Sequence, residues 1–221
     1  MLAKLLDPFL VVCSLGGVAL LLALIRRLHR ARPLSPFLLR KVLHLLIGGM
    51  TLLMTSLFHS RWWALVPPAL FTGVNFSGRL QGVLPDLAED SRAGRGLWMF
   101  PLGVVLLYLA FWNNHDRGAV LAGCAALGLA DPVAAIVGSR MGQRRYAGWG
   151  YGRTVEGSLA FILVAGVASG LIAAWAPGGV SPARAAVWCG ALGALAEALS
   201  PHGWDNLTVP LVVAAAYRLL G

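Results

Sequence analysis

The chain has 221 residues, 58% of them hydrophobic and 12% charged, with a formal net charge of +9 and a mean hydropathy of +0.73. Its apolar runs are too many and too long for the core of one soluble domain of this size, which excludes a water-soluble globular enzyme and leaves an integral membrane protein. The excess of Lys and Arg, broken up between apolar runs, reads as positive-inside bias and contact with anionic lipid, not as a nucleic-acid footprint.

Hydropathy predicts about eight spans, at 9–25, 42–58, 61–77, 97–112, 118–138, 155–175, 184–199 and 207–220, several of them short for a bilayer. The expected fold is all-α, a polytopic bundle of about seven to eight transmembrane helices forming a single domain over residues 1–221. The first span is followed by Arg26, Arg27, Arg30 and Arg32 rather than by a small-residue cleavage site, so it is retained and not a signal peptide. Keeping that basic cluster in the cytoplasm puts the N-terminus outside. The alternation then places thirteen Lys/Arg inside, while Lys4, Arg61, Arg117, Arg184 and Arg218 fall outside. The expected location is an inner membrane of bacterial type. Cys13, Cys124 and Cys189 fall singly in separate spans with no CxxC pair, as small core residues do.

With this topology the polar clusters gather at the cytoplasmic face. Arg40, Lys41 and His44 open the second span on adjacent helical turns, as snorkelling cations or as a cationic flank for phosphates. The 79–95 connection mixes three acids with three arginines and reads as a solvated link. In the fifth span Asp131 lies in an apolar run, where an ionisable group is costly and points to function. Asp131 followed by Pro132 suits a helix N-cap and first turn, so the span is expected to break there, with the positive end of a half-helix aimed into the site. An ionised Asp131 suits a divalent cation or the proton of a hydroxyl.

Gly138 and Gly142 form a small-xxx-small pair that by itself signals close helix packing. Arg140, Arg144, Arg145 and Arg153 supply fixed positive charge for a polyanion, and the glycines at 148, 150 and 152 lead into Arg153 and Thr154 without forming a GxxxxGK[ST] loop. Glu156 follows near a helix start, which stabilises a carboxylate with or without a chemical role. Glu197, Asp205 and Asn206 converge from neighbouring helix ends, as helix caps or as a magnesium–phosphate site in which the metal takes one or two carboxylates and keeps water.

Four segments, RKVLHLLIGG at 40–49, LADPVAAIVGSRMG at 129–142, RTVEGSLAF at 153–161 and EALSPHGWDNLTVPL at 197–211, together resemble the CTP-dependent lipid kinases that include dolichol kinase, phytol kinase and the yeast-type diacylglycerol kinase. The resemblance implies roles for Arg40, Lys41, His44, Asp131, Gly138, Gly142, Thr154, Glu156, Gly157, Ser158, Glu197, Asp205 and Asn206. Two features depart from the family pattern. Ala130 and Pro132 flank the aspartate where the family often has a glycine before it and a small or hydroxyl residue after it, and Arg153 replaces a usual lysine, exchanging a point donor for a planar fork.

The expected activity is therefore transfer of the γ-phosphate of CTP, with Mg2+, to the hydroxyl of a membrane lipid alcohol of phytol, polyprenol or dolichol type. Asp131 would act as base or metal ligand, Arg140, Arg144 and Arg153 as phosphate clamp, and Asp205 with Asn206 on the magnesium side, with Glu197 near. Small residues, among them Gly48, Gly49, Ala134, Ala135, Ala165 and Gly166, would let an apolar tail lie against the helices. The rivals are a diacylglycerol kinase, a cytidylyltransferase, which attacks the α-phosphate, and a membrane transporter.

Overall fold

The computed structural model describes residues 2–77, 91–113, 115–146, 152–201 and 203–221. The 79–95 connection as far as Asp90, and residues 148–151 of the glycine-rich loop, lie outside them. The described residues form α1 (Leu2–Ala31), α2 (Pro36–Leu57), α3 (Arg61–Phe76), α4 (Ser91–Phe111), α5 (Gly118–Ala125), α6 (Asp131–Met141), α7 (Val155–Trp175), α8 (Pro182–Leu199) and α9 (Asp205–Leu219). Each expected span falls on a helix to within a residue or so. Ser35 and Pro36 start α2 as their chemistry predicts, the serine Oγ accepting the Leu38 amide at 3.3 Å.

Length and hydropathy do not confirm the expected count of seven to eight crossing helices. Among the described residues, four segments are long and apolar enough to cross a membrane, at Leu6–Ala31, Pro36–Leu57, Gly118–Met141 and Val155–Trp175. Among the remaining helices α9 is short: it has 15 residues, a rise of only about 22 Å against the ~30 Å of a hydrocarbon core, and it begins with Asp205 and Asn206.

Helix ends alternate between two poles of the bundle. At one, buried Asp7 near the start of α1 accepts the backbone amides of His59 and Ser60, both at 2.9 Å, and Arg117 donates to the Ser56 carbonyl at 3.2 Å. The other pole gathers the ends of α2, α7, α8 and α9 that carry Lys41, Arg153, Glu197 and Asp205. Small residues let the helices touch. Gly48 of α2 packs backbone to backbone on Gly128, and a side chain at Gly166 of α7 would come within 2.7 Å of the Ala186 carbonyl on α8.

The break expected at Asp131 is absent. Ala130 and Asp131 both have right-handed helical backbone, and α5 runs into α6 through a π-helical turn at Ala126–Ala130 in which the Asp131 amide reaches back to the Ala126 carbonyl. Asp131 is therefore not an N-cap and no half-helix begins at Pro132. The π turn absorbs the proline, because in the wider register the ring replaces a donor meant for Leu127, and another element supplies that donor.

Candidate functional site

That donor is His44. Its Nε2 lies 2.9 Å from the Leu127 carbonyl, and since a carbonyl only accepts, the proton sits on Nε2. One turn earlier on the same face of α2, Lys41 places Nζ 2.9 Å from Asp131 Oδ2. His44 Nδ1 is 3.7 Å from the same oxygen, too far for a hydrogen bond. The π turn thus presents two groups to α2: a bare carbonyl and a buried carboxylate. Asp131 is 3% exposed, and its second oxygen, Oδ1, has no hydrogen-bond partner.

A second ionic group lies beside the first. Arg153 forks between Glu197 at the end of α8 and Asp205 at the start of α9, pairing with Glu197 Oε1 and reaching Asp205 Oδ2 at 3.1 Å. The two groups are electrostatically linked, with Asp131 and Lys41 both acting on Asp205, and Arg153 acting on Asp131. Glu197 Oε2 is buried and without a partner. Asn206 Nδ2 donates to the Gly203 carbonyl at 3.3 Å in the turn before α9, where Gly203 has a φ of +86° that disfavours a side chain.

The chain returns to this site from α6 through a short bridge. Tyr146 N donates to the Arg153 carbonyl at 3.2 Å, and Val155 N to the Arg144 carbonyl at 3.0 Å, which fixes the base of the glycine-rich loop. Thr154 caps α7 by accepting the Gly157 amide at 3.1 Å. Ser158 pairs with the Tyr146 hydroxyl at 2.6 Å. Gly138 and Gly157 make room for one another between α6 and α7.

A cavity of ≈ 530 Å³ joins the two ionic groups, within the range of small-molecule sites. Arg40, Lys41, His44, Arg153, Glu197 and Asp205 line its polar end, with Thr154, Gly157, Ser158, Gly138 and Asn206 beside them. Most of the residues expected to act are thus brought together from five helices. Arg140 and Arg144 are not: both are exposed and neither lines the cavity, Arg140 lying in the last turn of α6 and Arg144 beyond it. Asp131 does not line the cavity either; it is buried next to Lys41 and His44, which do. Gly142 ends α6 and packs on the Thr154 side chain. Glu156 accepts the Arg144 amide at 3.3 Å, so it braces the loop base.

The small residues expected to bed a lipid tail divide. Ala134 and Ala135 line the cavity, whereas Gly48 and Gly166 are spent on helix–helix contact and Ala165 is fully buried in the core. The apolar arm of the cavity, between α2, α3 and α4, went unnoticed in the sequence. A signal was present: Lys41, His44, Ile47, Thr51, Met54 and Phe58 recur at three- and four-residue steps along one face of α2, and all six line it.

The oxygens left without partners fit a hard divalent cation, which takes one or two carboxylates and completes its shell with water and phosphate oxygens. Among the described residues no three His, Cys, Asp or Glu side chains group into an all-protein cage.

The chain is 27% identical over 199 residues to the phytol kinase of Synechocystis sp., a match that covers 89% of this chain and 84% of that protein. Similarity over nearly the whole length supports the resemblance to CTP-dependent lipid kinases drawn from the four motifs. No family model and no solved structure matches the chain.

Proposed function

We propose that the protein is a membrane-embedded lipid kinase that transfers the γ-phosphate of CTP to the hydroxyl of an isoprenoid alcohol. The observation that carries this reading is the two-ended cavity, in which paired acids and fixed cations cluster at one end and an apolar arm leads away from them. An alcohol with a long hydrocarbon tail matches both ends, and the similarity to a phytol kinase points to the same acceptor class.

In the transfer the acceptor oxygen forms a bond to Pγ while the bond from Pγ to the β–γ bridging oxygen breaks, releasing CDP. Asp131 is the proposed destination of the hydroxyl proton: its carboxylate is buried just behind the cavity's polar end, with Oδ2 held by the cavity-lining Lys41 at 2.9 Å and Oδ1 without a partner. Arg40 and Arg153 face the triphosphate as charge-assisted donors. Phosphoryl transfer needs positioning and charge neutralisation more than a protein nucleophile, and no serine or cysteine nucleophile is required of this site. Bound Mg2+ would neutralise phosphate charge, and Asp205, Glu197 and Asn206, with Asp131, are the residues that would hold it. Arg153 bridges Glu197 and Asp205, which supports a role in keeping these acids together between turnovers.

The polar end is assigned to the cytoplasmic face of an inner membrane of bacterial type, where a soluble nucleotide reaches it. Among the described lining residues the charged groups gather at one end of the cavity, which argues against a transporter, since that needs access from both faces. The test is purified protein in lipid nanodiscs with γ-labelled CTP or ATP, Mg2+ and a panel of lipid alcohols. Labelled lipid phosphate with stoichiometric CDP is the expected product. Pyrophosphate release instead would make the protein a cytidylyltransferase, and phosphatidate as the main product would make diacylglycerol the acceptor.

A further inference from the structure

The apolar arm has a definite length and a closed end. From His44 to Phe58 the cavity follows α2 for fourteen residues, a rise of about 21 Å at 1.5 Å per residue. It ends against Phe58, Ala64 and Tyr108, which are 2%, 1% and 2% exposed, so these described residues seal that end from the surroundings. The wall is held in place. The Tyr108 hydroxyl lies 2.5 Å from Thr55 Oγ1, and its ring meets Trp112 edge to face at a centroid distance of 5.3 Å.

We infer that this blind arm is a chain-length ruler for the lipid acceptor, with Phe58, Ala64 and Tyr108 as the residues that set the limit. The inference rests on the proposed kinase reading and adds to it which alcohols fit. An extended chain advances about 1.2 Å per bond, judging from the ~3.3–3.6 Å spanned by the three backbone bonds of a residue, so about 21 Å accommodates a main chain of roughly sixteen to eighteen carbons. That is a prenol of four isoprene units with its hydroxyl at the polar end, beside Lys41 and His44. A polyprenol twice as long has no room behind Phe58 and would have to leave the arm between helices.

The experiment uses the full-length protein in nanodiscs and offers geraniol, farnesol, geranylgeraniol and a polyprenol of eight or more isoprene units. Retention of each alcohol is read by native mass spectrometry and turnover by phosphate transfer from CTP. Retention should rise to geranylgeraniol and fall at least tenfold for the polyprenol. Ala64→Phe fills the end of the arm without removing packing, and should move the optimum to farnesol with about a tenfold loss for geranylgeraniol, since a single methylene of misfit already costs tenfold or more. Phe58→Ala should admit the longer chain. An unchanged length profile in Ala64→Phe, or equal retention of polyprenol and geranylgeraniol by the unaltered protein, would overturn the ruler. Absence of phosphate transfer to any alcohol would overturn the kinase reading alone, because retention still decides the length limit.

Discussion

His44 gives the Leu127 carbonyl the hydrogen bond that Pro132 takes away, across 2.9 Å between α2 and the π turn. The same turn exposes Asp131 to Lys41, three residues before His44. A proline that would otherwise disrupt α5–α6 thereby becomes the reason that two helices are tied together where the carboxylate lies.

If that bond is a replacement for a lost amide, His44→Ala leaves a buried carbonyl unpaired and should cost about 1–3 kcal/mol of stability. Pro132→Ala restores the amide, so the double variant should recover a good part of that loss. Thermal unfolding of the four proteins in one detergent forms a double-mutant cycle. Strict additivity of the two changes would show that His44 and Pro132 are not linked through Leu127.

Asp131→Asn keeps the shape of the side chain but removes the charge that Lys41 neutralises and the site to which the proton would go. Turnover should fall by about a hundredfold or more, in line with the usual contribution of general-base catalysis, while the protein still inserts and elutes as a single species. Retained activity would remove Asp131 from the mechanism.

Arg153→Ala should lower kcat/KM by about tenfold to a hundredfold, the equivalent of one charge-assisted contact, and Arg153→Lys should restore much of it. The structure adds a stability effect, because the alanine leaves Glu197 and Asp205 as neighbouring acids without their shared cation. Adding Glu197→Gln to Arg153→Ala should therefore raise the unfolding temperature without restoring turnover. Recovery of turnover in that double variant would mean that Arg153 serves the fold and not the phosphate.

The proposed topology puts His115 outside and Gln143 inside, and both are exposed. In a Cys13→Ala background, a cysteine at 115 should react with an impermeant maleimide added to intact cells and one at 143 should react only after lysis. The reverse pattern would invert the orientation and move the nucleotide site to the other face.

Hydropathy and local chemistry determined a great deal without the structure. Apolar runs separated by turns and charges place every helix, because segment burial in lipid depends on local composition and the start of α2 on a serine–proline pair. The residue types at the polar end were legible as well: an acid in an apolar run and arginines beside glycines are conspicuous by their cost. Tertiary structure decided how they are used. Sequence read Asp131–Pro132 as a helix break, since a proline removes a donor; the fold kept the helix continuous because His44, 83 positions before Leu127 in the chain, replaces that donor. Sequence counted Arg140, Arg144 and Arg153 alike as cations, but only Arg153 follows the bridge back into the cavity between Glu197 and Asp205. The length of the apolar arm likewise follows from how α2, α3 and α4 lie together, with Phe58, Ala64 and Tyr108 meeting at its end, a packing relation that no single segment encodes.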